Sequence, residues 1–411
     1  MSILLEEDLQ RPLPRMYRVR QQFDETRLKD VAGTVRAELA KPEIRALVKP
    51  GMRIAVGVGS RGIQNLYTIV ETTVNSLKEL GAEPFIVSAM GSHGGGTEEG
   101  QREVLAGYGI TEERLGVPVV TTVDTVYLGN CANGRPVWFD RAAYEADLIV
   151  PINRVKLHTD FVGPIQSGLC KMLVIGLGNH KGCSAVHEEA PEVFADAIEE
   201  TARLILQKAP VGFGIAILEN AYDKTYAVEA VPAEHLVERE KELVQIAKGN
   251  MPYIMLDEAD VIVCGAIGKD ISGAGFDPNI LGRSSVLKQF VLHIPRYQRL
   301  VLCDVTPASH GNGIGVGLFD VITKKVAEQL ALESMYANAI ACNCLGDASV
   351  PCTVDDEETA IRVALKCCRN IDRDHPRIIR IQNTLHLGEI EVSEALLDAV
   401  RADSRMSLIE N

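Results

Sequence analysis

A strand, a glycine-rich turn, a helix and a second strand follow one another between residues 53 and 90, and this order constrains the fold more than any other feature. The apolar run RIAVGV leads into the turn, a helical pattern extends to about Leu80, and EPFIVSAM supplies the second strand. Two strands joined by a helix in this way lie parallel in one sheet. The sequence therefore predicts an α/β fold with largely parallel sheets.

The glycine turn carries Gly57, Gly59 and Gly62 in the spacing GxGxxG, which is typical of dinucleotide-binding folds. In those folds the second strand ends with an acidic residue that holds the ribose, whereas here the strand ends near Ser88. We therefore do not expect a conventional nicotinamide dinucleotide site. Arg61 lies in the same turn, where its guanidinium suits a phosphate or a carboxylate.

A second glycine-rich loop, GSHGGGT at residues 91–97, follows the strand EPFIVSAM. Such a loop lies at the carboxyl end of a parallel strand, where open α/β sheets bind ligands. Thr97 suits the N-cap of the helix that begins at Glu98, and the amide groups of a helix start favour an anion. His93 has few neighbours to pack against among these glycines, so we expect a functional role for it. The alternative is an incidental loop histidine.

Histidines and lysines are concentrated in residues 147–187, DLIVPINRVKLHTDFVGPIQSGLCKMLVIGLGNHKGCSAVH. The apolar start of this segment is typical of a buried parallel strand. The basic residues that follow it are Lys156, His158, Lys171, His180 and His187. Neutral imidazole is the commonest metal ligand and the usual proton shuttle near pH 7, so these residues favour a chemical role. The alternative is a polar loop over a sheet edge.

The second half of the chain repeats the order of strand, glycine-rich loop and helix, beginning with ADVIVCG at residues 259–265. We therefore predict two α/β lobes with an active-site cleft between them. The N-terminal domain is expected to span residues 1–250, with a strand over 16–23, and the C-terminal domain residues 251–411. The end of the chain, residues 392–411, is expected to form a helix with a frayed, polar end.

Charge and cysteine pattern argue against several classes of function. A formal net charge of −14 does not suit nucleic acid or an anionic membrane surface as the main partner. We expect no signal peptide or membrane helix, because no apolar run is long enough for either. The 10 cysteines include no CxxC pair, and most lie in apolar runs, so we expect reduced thiols in a cytoplasmic protein. A small molecule is the expected partner.

These motifs together resemble the nickel-dependent lactate racemase superfamily, which contains 2-hydroxy acid racemases and epimerases. The segment GSHGGGTEEGQREVLAGYGI is similar to the family's Gly-[Ser/Thr]-His loop with its acidic helix start. The segment from His158 to His187 is similar to the family's His…Lys…His segment, with Lys171 and His187 16 residues apart and Gly176 five residues after the lysine. The resemblance is specific over residues 55–66, 91–110 and 147–187.

The resemblance implies an isomerase that uses a nickel-pincer nucleotide, a pyridinium mononucleotide whose two sulfur-bearing arms clasp the metal. It implies that Lys171 carries this cofactor covalently and that His187 binds nickel. It also implies that His93 and His158 flank a 2-hydroxy acid as alternating acid and base, while the C2 hydrogen moves as hydride to the cofactor and back. The remaining assignments are Ser60, Arg61, Gly94, Gly95 and Gly96 for the cofactor, and Lys269 and Arg283 for the substrate.

The sequence departs from the family pattern at several positions. The replacements are Val58 for an Asp, Gly94 for an Arg, Gly282 for a Gln and Ser285 for a Lys. The last two positions engage the substrate carboxylate in the lactate enzymes, so the identity of the hydroxy acid is left open.

Two other interpretations stay open. One is a zinc or iron site, as in a metal-dependent hydrolase or lyase, although no carboxylate stands at His-x-x-x-His spacing to act as base. Its ligands would come from Cys170, Cys183, His158, His180 and His187. The other is a non-catalytic relative that binds or delivers a cofactor or metabolite, which the departures favour. Self-association into a homo-oligomer is a further open expectation.

Overall fold

The structure is a computed structural model that describes residues 3–60 and 62–410. Contacts divide the chain into two units. The N-terminal unit is Glu25–Met251, and the C-terminal unit combines the residues up to Asp24 with those from Pro252 onward. No helix within the described ranges is both long enough and apolar enough to cross a bilayer.

Strands and helices alternate along most of the chain. In the described ranges the strands are β1 (Met16–Gln21), β2 (Arg53–Val58), β3 (Glu83–Ser88), β4 (Val119–Val120), β5 (Thr125–Asn130), β6 (Pro136–Asp140), β7 (Leu148–Arg154), β8 (Phe213–Glu219), β9 (Thr225–Pro232), β10 (Val261–Cys264), β11 (Arg299–Leu302), β12 (Val321–Thr323), β13 (Cys352–Val354), β14 (Ile378–Ile381), β15 (Glu389–Ser393) and β16 (Met406–Leu408). The helices are α1 (Glu6–Gln10), α2 (Val31–Leu39), α3 (Pro42–Arg45), α4 (Leu66–Glu79), α5 (Glu98–Gly107), α6 (Glu112–Leu115), α7 (Arg141–Tyr144), α8 (Leu169–Lys171), α9 (Asn179–His187), α10 (Phe194–Lys208), α11 (Leu236–Asn250), α12 (Pro278–Leu281), α13 (Lys324–Gln329), α14 (Leu332–Ala341), α15 (Glu357–Lys366) and α16 (Leu397–Ala402). A π-helical turn, Met172–Gly176, separates α8 from α9.

The main sheet of the N-terminal unit has the strand order β4-β3-β2-β7-β8-β9 among the described residues. Its strands are parallel except for β9, which runs antiparallel to β8. Val56 in the centre of β2 pairs with Ile86 of β3 and with Val150 of β7, and all three side chains are buried. Helix α4 adds a buried face that includes Ile69 and Val74, and each such side chain stabilises the fold by about 1.5–3 kcal/mol.

The C-terminal unit contains a second sheet of order β13-β12-β11-β10-β14-β15-β1-β16 in the described part of the chain. Strands β10 to β14 pair in parallel, whereas β15, β1 and β16 pair antiparallel. The prediction of an α/β fold with largely parallel sheets is therefore confirmed. The strand expected over residues 16–23 forms as β1, but it pairs with β15 and β16 rather than within the N-terminal unit.

The expected terminal helix over residues 392–411 is wrong in its extent. Helix α16 covers Leu397–Ala402 only, and the chain then extends into β16. The side chain of Asp403 accepts a hydrogen bond from the Arg405 backbone amide at 2.9 Å, which turns the chain at this point. Strand β16 then pairs antiparallel with β1, and the backbone partners that β1 offers outweigh the local helical pattern.

Candidate functional site

The carboxyl ends of three neighbouring strands hold residues that the sequence singled out. Ser60 follows β2, His93 follows β3, and His158 follows β7. Strands β3 and β7 flank β2 on either side and run parallel to it, so the three chain segments emerge at one edge of the sheet. This edge also marks the reversal of strand order, where open α/β sheets bind ligands. Strands β3 and β7 are two inter-strand spacings apart, about 10 Å.

Ser60 and His93 contact each other directly. The hydroxyl of Ser60 is hydrogen-bonded to Nδ1 of His93. The carbonyl of Ser60 accepts a hydrogen bond of 3.0 Å from the hydroxyl of Tyr108 on the loop after α5. The His93 residue is exposed, so this polar contact rather than burial orients its ring.

The loop that carries His93 has an unusual backbone. Its three consecutive glycines, Gly94–Gly96, have φ angles of 64°, 67° and 65°, a left-handed conformation that side chains other than glycine rarely adopt. Buried Gln101 stabilises the loop, because its amide nitrogen donates to the carbonyls of Gly91 at 3.2 Å and His93 at 3.4 Å. Gln101 was not predicted to have this role from the sequence. The available signal was an uncharged polar residue within the acidic first turns of α5.

His158 lies in the loop after β7 and contacts Lys171. Nε2 of His158 is 2.5 Å from Nζ of Lys171. The loop closes through paired backbone hydrogen bonds between Lys156 and Ser167. The side chain of His158 is 13% exposed, so the ring is largely shielded from water. The structure thus brings together two residues that lie 13 positions apart in the sequence.

Lys171 is the last residue of α8 and His187 the last residue of α9, and between them lie the π-helical turn and a break at Asn179, whose φ angle is 50°. π-helical turns are rare and occur frequently at functional sites. Gly176 allows this segment to approach the sheet, because a Cβ there would lie 2.8 Å from the carbonyl oxygen of Ala89. The amide of Gly91 donates to the carbonyl of Gly176 at 3.0 Å, so the helical segment also touches the histidine loop.

His187 has a polar environment that suits a metal ligand. Its Nδ1 is 2.7 Å from the carbonyl oxygen of Cys183, one turn earlier in α9. A proton on Nδ1 makes this hydrogen bond and leaves the lone pair on Nε2, the arrangement found for metal-bound histidines. Partial desolvation opposes the charged ring, but the hydrogen bond and charge of the Cys183 thiol group outweigh it and raise the pKa of His187, so a metal ion would compete with a proton for Nε2.

Cys183 links His187 to the glycine-rich loop. Its sulfur lies 3.5 Å from Nδ1 of His187 and 3.8 Å from the hydroxyl of Ser92. Burial raises the pKa of this thiol, but the hydrogen bond and charge of His187 outweigh burial, so the pKa of Cys183 is lowered. Ser92 immediately precedes His93, so these contacts connect α9 with the loop that carries His93.

Two phenylalanines connect His158 with His187. The ring of Phe161 stacks on His158 with centroids 4.2 Å apart, and Phe161 packs on Phe194 at 4.8 Å. Phe194, the first residue of α10, contacts His187 edge-on at 5.1 Å. Both phenylalanines are buried, so they hold the two imidazoles at fixed positions on one apolar wall. This role had no signal in the sequence, because both residues fit an ordinary core.

Glu240 of α11 is a buried carboxyl group beneath α8. It is fully buried, and its Oε2 accepts a hydrogen bond of 2.8 Å from the backbone amide of Cys170. Burial raises the pKa of Glu240 to about 7, against the lowering effect of the Cys170 and Leu169 amides. The available signal was a glutamate on the otherwise apolar face of α11 that includes Leu236 and Leu243. Glu240 caps the helical turn that presents Lys171.

The alternative set of histidine and cysteine ligands does not assemble in the structure. Among residues 3–60 and 62–410, no three side chains of His, Cys, Asp and Glu are placed to share a metal ion. Cys170 is completely buried against Glu240. Burial is the largest cause that raises the pKa of the Cys170 thiol well above its usual value, and the negative charge of Glu240 raises it further. His180 is exposed, and its ring lies beside Gly96.

The two residues assigned to the substrate, Lys269 and Arg283, belong to the C-terminal unit and have partners within it. Nζ of Lys269 donates to the Gly273 carbonyl at 2.5 Å and to the Asn338 side chain at 2.6 Å. Arg283 forms an ion pair of 2.7 Å with Asp320 and lines an open cavity of about 440 Å³. Arg61, assigned to the cofactor, lies outside the described residues.

The fold and site therefore define an α/β domain with an amine, imidazoles and a glycine-rich loop at the carboxyl edge of a parallel sheet. Residues 11–196 match the family model described as lactate racemase N-terminal domain. The resemblance identified from the sequence motifs is confirmed by this match.

Comparison with one solved structure supports the same fold. The lactate racemase apoprotein from Thermoanaerobacterium thermosaccharolyticum matches with a TM-score of 0.53 and 12% identity, covering 94% of this chain and 96% of that chain. A crystal structure of a protein from Thermotoga maritima matches with a TM-score of 0.44 and 14% identity, covering 57% of this chain. The match spans 63% of the Thermotoga protein's length. No curated protein matches this sequence.

Proposed function

We propose that this protein is a racemase or epimerase of a small 2-hydroxy acid that works with a nickel-pincer nucleotide. The observation that supports the proposal best is the grouping of an amine and two imidazoles at one sheet edge. His93 and His158 follow the strands that flank β2, and Lys171 contacts His158. The lactate racemase N-terminal domain over residues 11–196 agrees with this chemistry.

The residues present fit this cofactor by their chemistry. Lys171 offers an amine for a covalent link, and His187 offers Nε2 for nickel because its Nδ1 faces a carbonyl. The left-handed loop Gly94–Gly96 has no side chains to obstruct a phosphate, and Ser60 supplies a hydroxyl beside it. We assign all of these groups to cofactor binding.

Racemisation needs acid and base groups on both faces of one carbon. The hydrogen on C2 of a 2-hydroxy acid is poorly acidic, so direct deprotonation is slow. When bound, the cofactor supplies an acceptor for that hydrogen as hydride, which makes C2 planar. His93 and His158 would each take and return the hydroxyl proton, one for each enantiomer, and a positioned base contributes roughly 10²–10⁴-fold. The Ser60 contact and the Phe161 stack hold the two rings for this task.

A turnover experiment tests the proposal. Protein produced together with the enzymes of cofactor synthesis would be incubated with single enantiomers of several 2-hydroxy acids, and the products separated by chiral chromatography. We expect interconversion of at least one acid, in a preparation that contains stoichiometric nickel. Nickel-loaded protein that neither racemises nor exchanges the C2 hydrogen of any acid tested would contradict the proposal.

We also propose that the protein is located in the cytoplasm, which cell fractionation tests. We further propose that it assembles as a homo-oligomer, which light scattering tests.

A non-catalytic relative is the second candidate. Lys269 and Arg283, assigned to the substrate carboxylate, both bond to groups of their own unit. This observation favours a protein that holds or delivers the cofactor without turnover. Such a protein would carry nickel and the nucleotide and would transfer them to another apoprotein, whereas a racemase retains them through many turnovers.

A further inference from the structure

The hairpin formed by β5 and β6 lies along helix α9. Among the described residues, these two strands pair with each other and not with the main sheet of the N-terminal unit. Gly182 allows a close approach in the middle of α9, because a Cβ there would lie 3.1 Å from the carbonyl oxygen of Trp138 on β6. Nζ of Lys181 lies 4.9 Å from the centre of the Trp138 ring. The hairpin therefore supports the helix that ends with His187.

Helix α9 needs this support, because its own sequence is a poor helix former. Its nine residues, NHKGCSAVH, are fewer than the roughly 12–15 that an isolated helix requires, and Gly182 lowers the helix propensity further. The break at Asn179 also separates α9 from the π-helical turn before it. Contacts with other elements must therefore fix the position of the helix.

The start of α9 is held by the end of β6. Nδ2 of Asn179 donates to the carboxylate of Asp140 at 2.8 Å, and both side chains are fully buried. The backbone amide of Asp140 donates to the carbonyl of Leu177 at 2.6 Å. The strand thus fixes the break from which α9 begins.

The end of α9 is held by the turn of the hairpin. Glu189, two residues after His187, accepts a hydrogen bond of 2.9 Å from the side-chain amide of Asn133. The same carboxylate forms an ion pair with Arg135, whose side chain is only 4% exposed. The side-chain oxygen of Asn133 accepts the backbone amide of Arg135 at 3.0 Å, which shapes the turn. The turn therefore presents two donors to one carboxylate.

Arg135 also binds α10. Its Nη2 donates to the carboxylate of Glu200 at 2.8 Å and to the carbonyl of Ala197 at 3.2 Å. Helix α10 begins with Phe194, which contacts the ring of His187. One guanidinium therefore joins the helix that carries His187 to the helix that contacts its ring. The planar guanidinium suits this task, because its donors form a rigid fork that can bind two carboxylates at once.

We propose that Arg135 is a positioning residue for His187 and acts through Glu189. Helix ends fray, and the ion pair holds the last turn of α9 against α10. Nε2 of His187 is thereby kept at one place beside Phe194. The metal that His187 would bind there rests on the proposed function, whereas the restraint on α9 does not.

Hydrogen exchange of the apoprotein tests the restraint without any cofactor. Glu189→Ala removes the contact with α9, and Glu200→Ala, the matched control, removes the other carboxylate of the same arginine. Both carboxylate side chains are partly exposed, at 25% and 38%, so the fold should tolerate either change. We expect the amides of residues 183–187 to exchange at least about tenfold faster in Glu189→Ala, and within about twofold of the wild-type rate in Glu200→Ala. Unchanged exchange in Glu189→Ala, or equal acceleration in both variants, would overturn the inference.

Nickel release measures what the restraint does for the site. Protein made with the cofactor-synthesis enzymes would be dialysed against a chelator, with nickel followed by elemental analysis and the adduct on Lys171 by intact mass. We expect Glu189→Ala to release nickel at least about tenfold faster than the wild type. It should still carry the adduct, since Lys171 lies before the break at Asn179. Glu189→Gln keeps an oxygen for Asn133 and Arg135 and should restore slow release.

The outcomes separate positioning from a general loss of stability. Nickel release from Glu189→Ala at the wild-type rate, or a Glu189→Ala protein without the adduct, would contradict the positioning role. Faster hydrogen exchange in Glu189→Ala, in a protein that never holds nickel, would support the restraint on α9 and contradict the proposed function.

Discussion

The buried carboxyl group of Glu240 should make stability depend on pH in a direction opposite to that of most carboxylates. Its pKa is raised from 4.5 to about 7 in the folded protein, and the side chain is fully buried. Below pH 4.5 the carboxyl group is protonated in both the folded and the unfolded state, so its ionisation does not change the free energy of unfolding. Between pH 4.5 and 7 only the unfolded state ionises, so stability falls as pH rises. Above pH 7 the loss in the free energy of unfolding levels off at about 3 kcal/mol.

Glu240→Gln isolates this contribution. Glutamine keeps an oxygen that accepts the amide of Cys170, but it does not ionise. The free energy of unfolding of the variant, relative to the wild type, should therefore increase by about 2.5 kcal/mol between pH 5 and pH 8. Asp140 is also buried and has a pKa of about 6, but it is present in both proteins and cancels in the difference.

Urea unfolding followed by circular dichroism at pH 5, 6, 7 and 8 measures the effect. The control is Glu242→Gln on the same helix, whose carboxylate is 67% exposed and pairs with Arg239. A surface ion pair contributes at most about 1 kcal/mol, and we expect no trend with pH for this variant. A difference between Glu240→Gln and the wild type that stays constant from pH 5 to 8 would refute the reasoning.

Two other predictions concern the histidines. His93→Ala and His158→Ala should each lower racemisation by the loaded protein at least about 100-fold, or about 2.7 kcal/mol of barrier, with His235→Ala as the unaffected control. A loss under about tenfold in both variants would remove them from the mechanism. His187→Ala should lose most of the bound nickel by elemental analysis, whereas His180→Ala should retain it. Equal nickel contents in these two variants would contradict the assignment of the metal ligand.

Local patterns predicted the elements around the site well. The β2-α4-β3 unit was predictable because the apolar runs and the glycines that end them are contiguous in sequence. The placement of Ser60, His93 and His158 at one edge follows from the parallel order of their strands. These features depend on short-range periodicity and on the geometry common to all parallel sheets.

Non-local pairing and packing were not predictable in the same way. Strand β1 pairs with β15, more than 360 residues later, and such pairing depends on which free sheet edge the fold offers. The contacts of Phe161 with Phe194, and of Glu240 with Cys170, likewise join segments that only the tertiary structure brings together. The direct contact of Lys171 with His158 depends on the path of the loop between them, for which no periodic signal exists.

The covalent state of Lys171 tests the central claim most directly. Protein made with the cofactor-synthesis enzymes would be analysed by intact mass and by peptide mapping of the segment that contains Lys171. We predict an adduct of mononucleotide size on Lys171, retained in Lys156→Ala and absent in Lys171→Ala, which should be inactive. Unmodified Lys171 in a fully active preparation, or full activity of Lys171→Ala, would contradict the account.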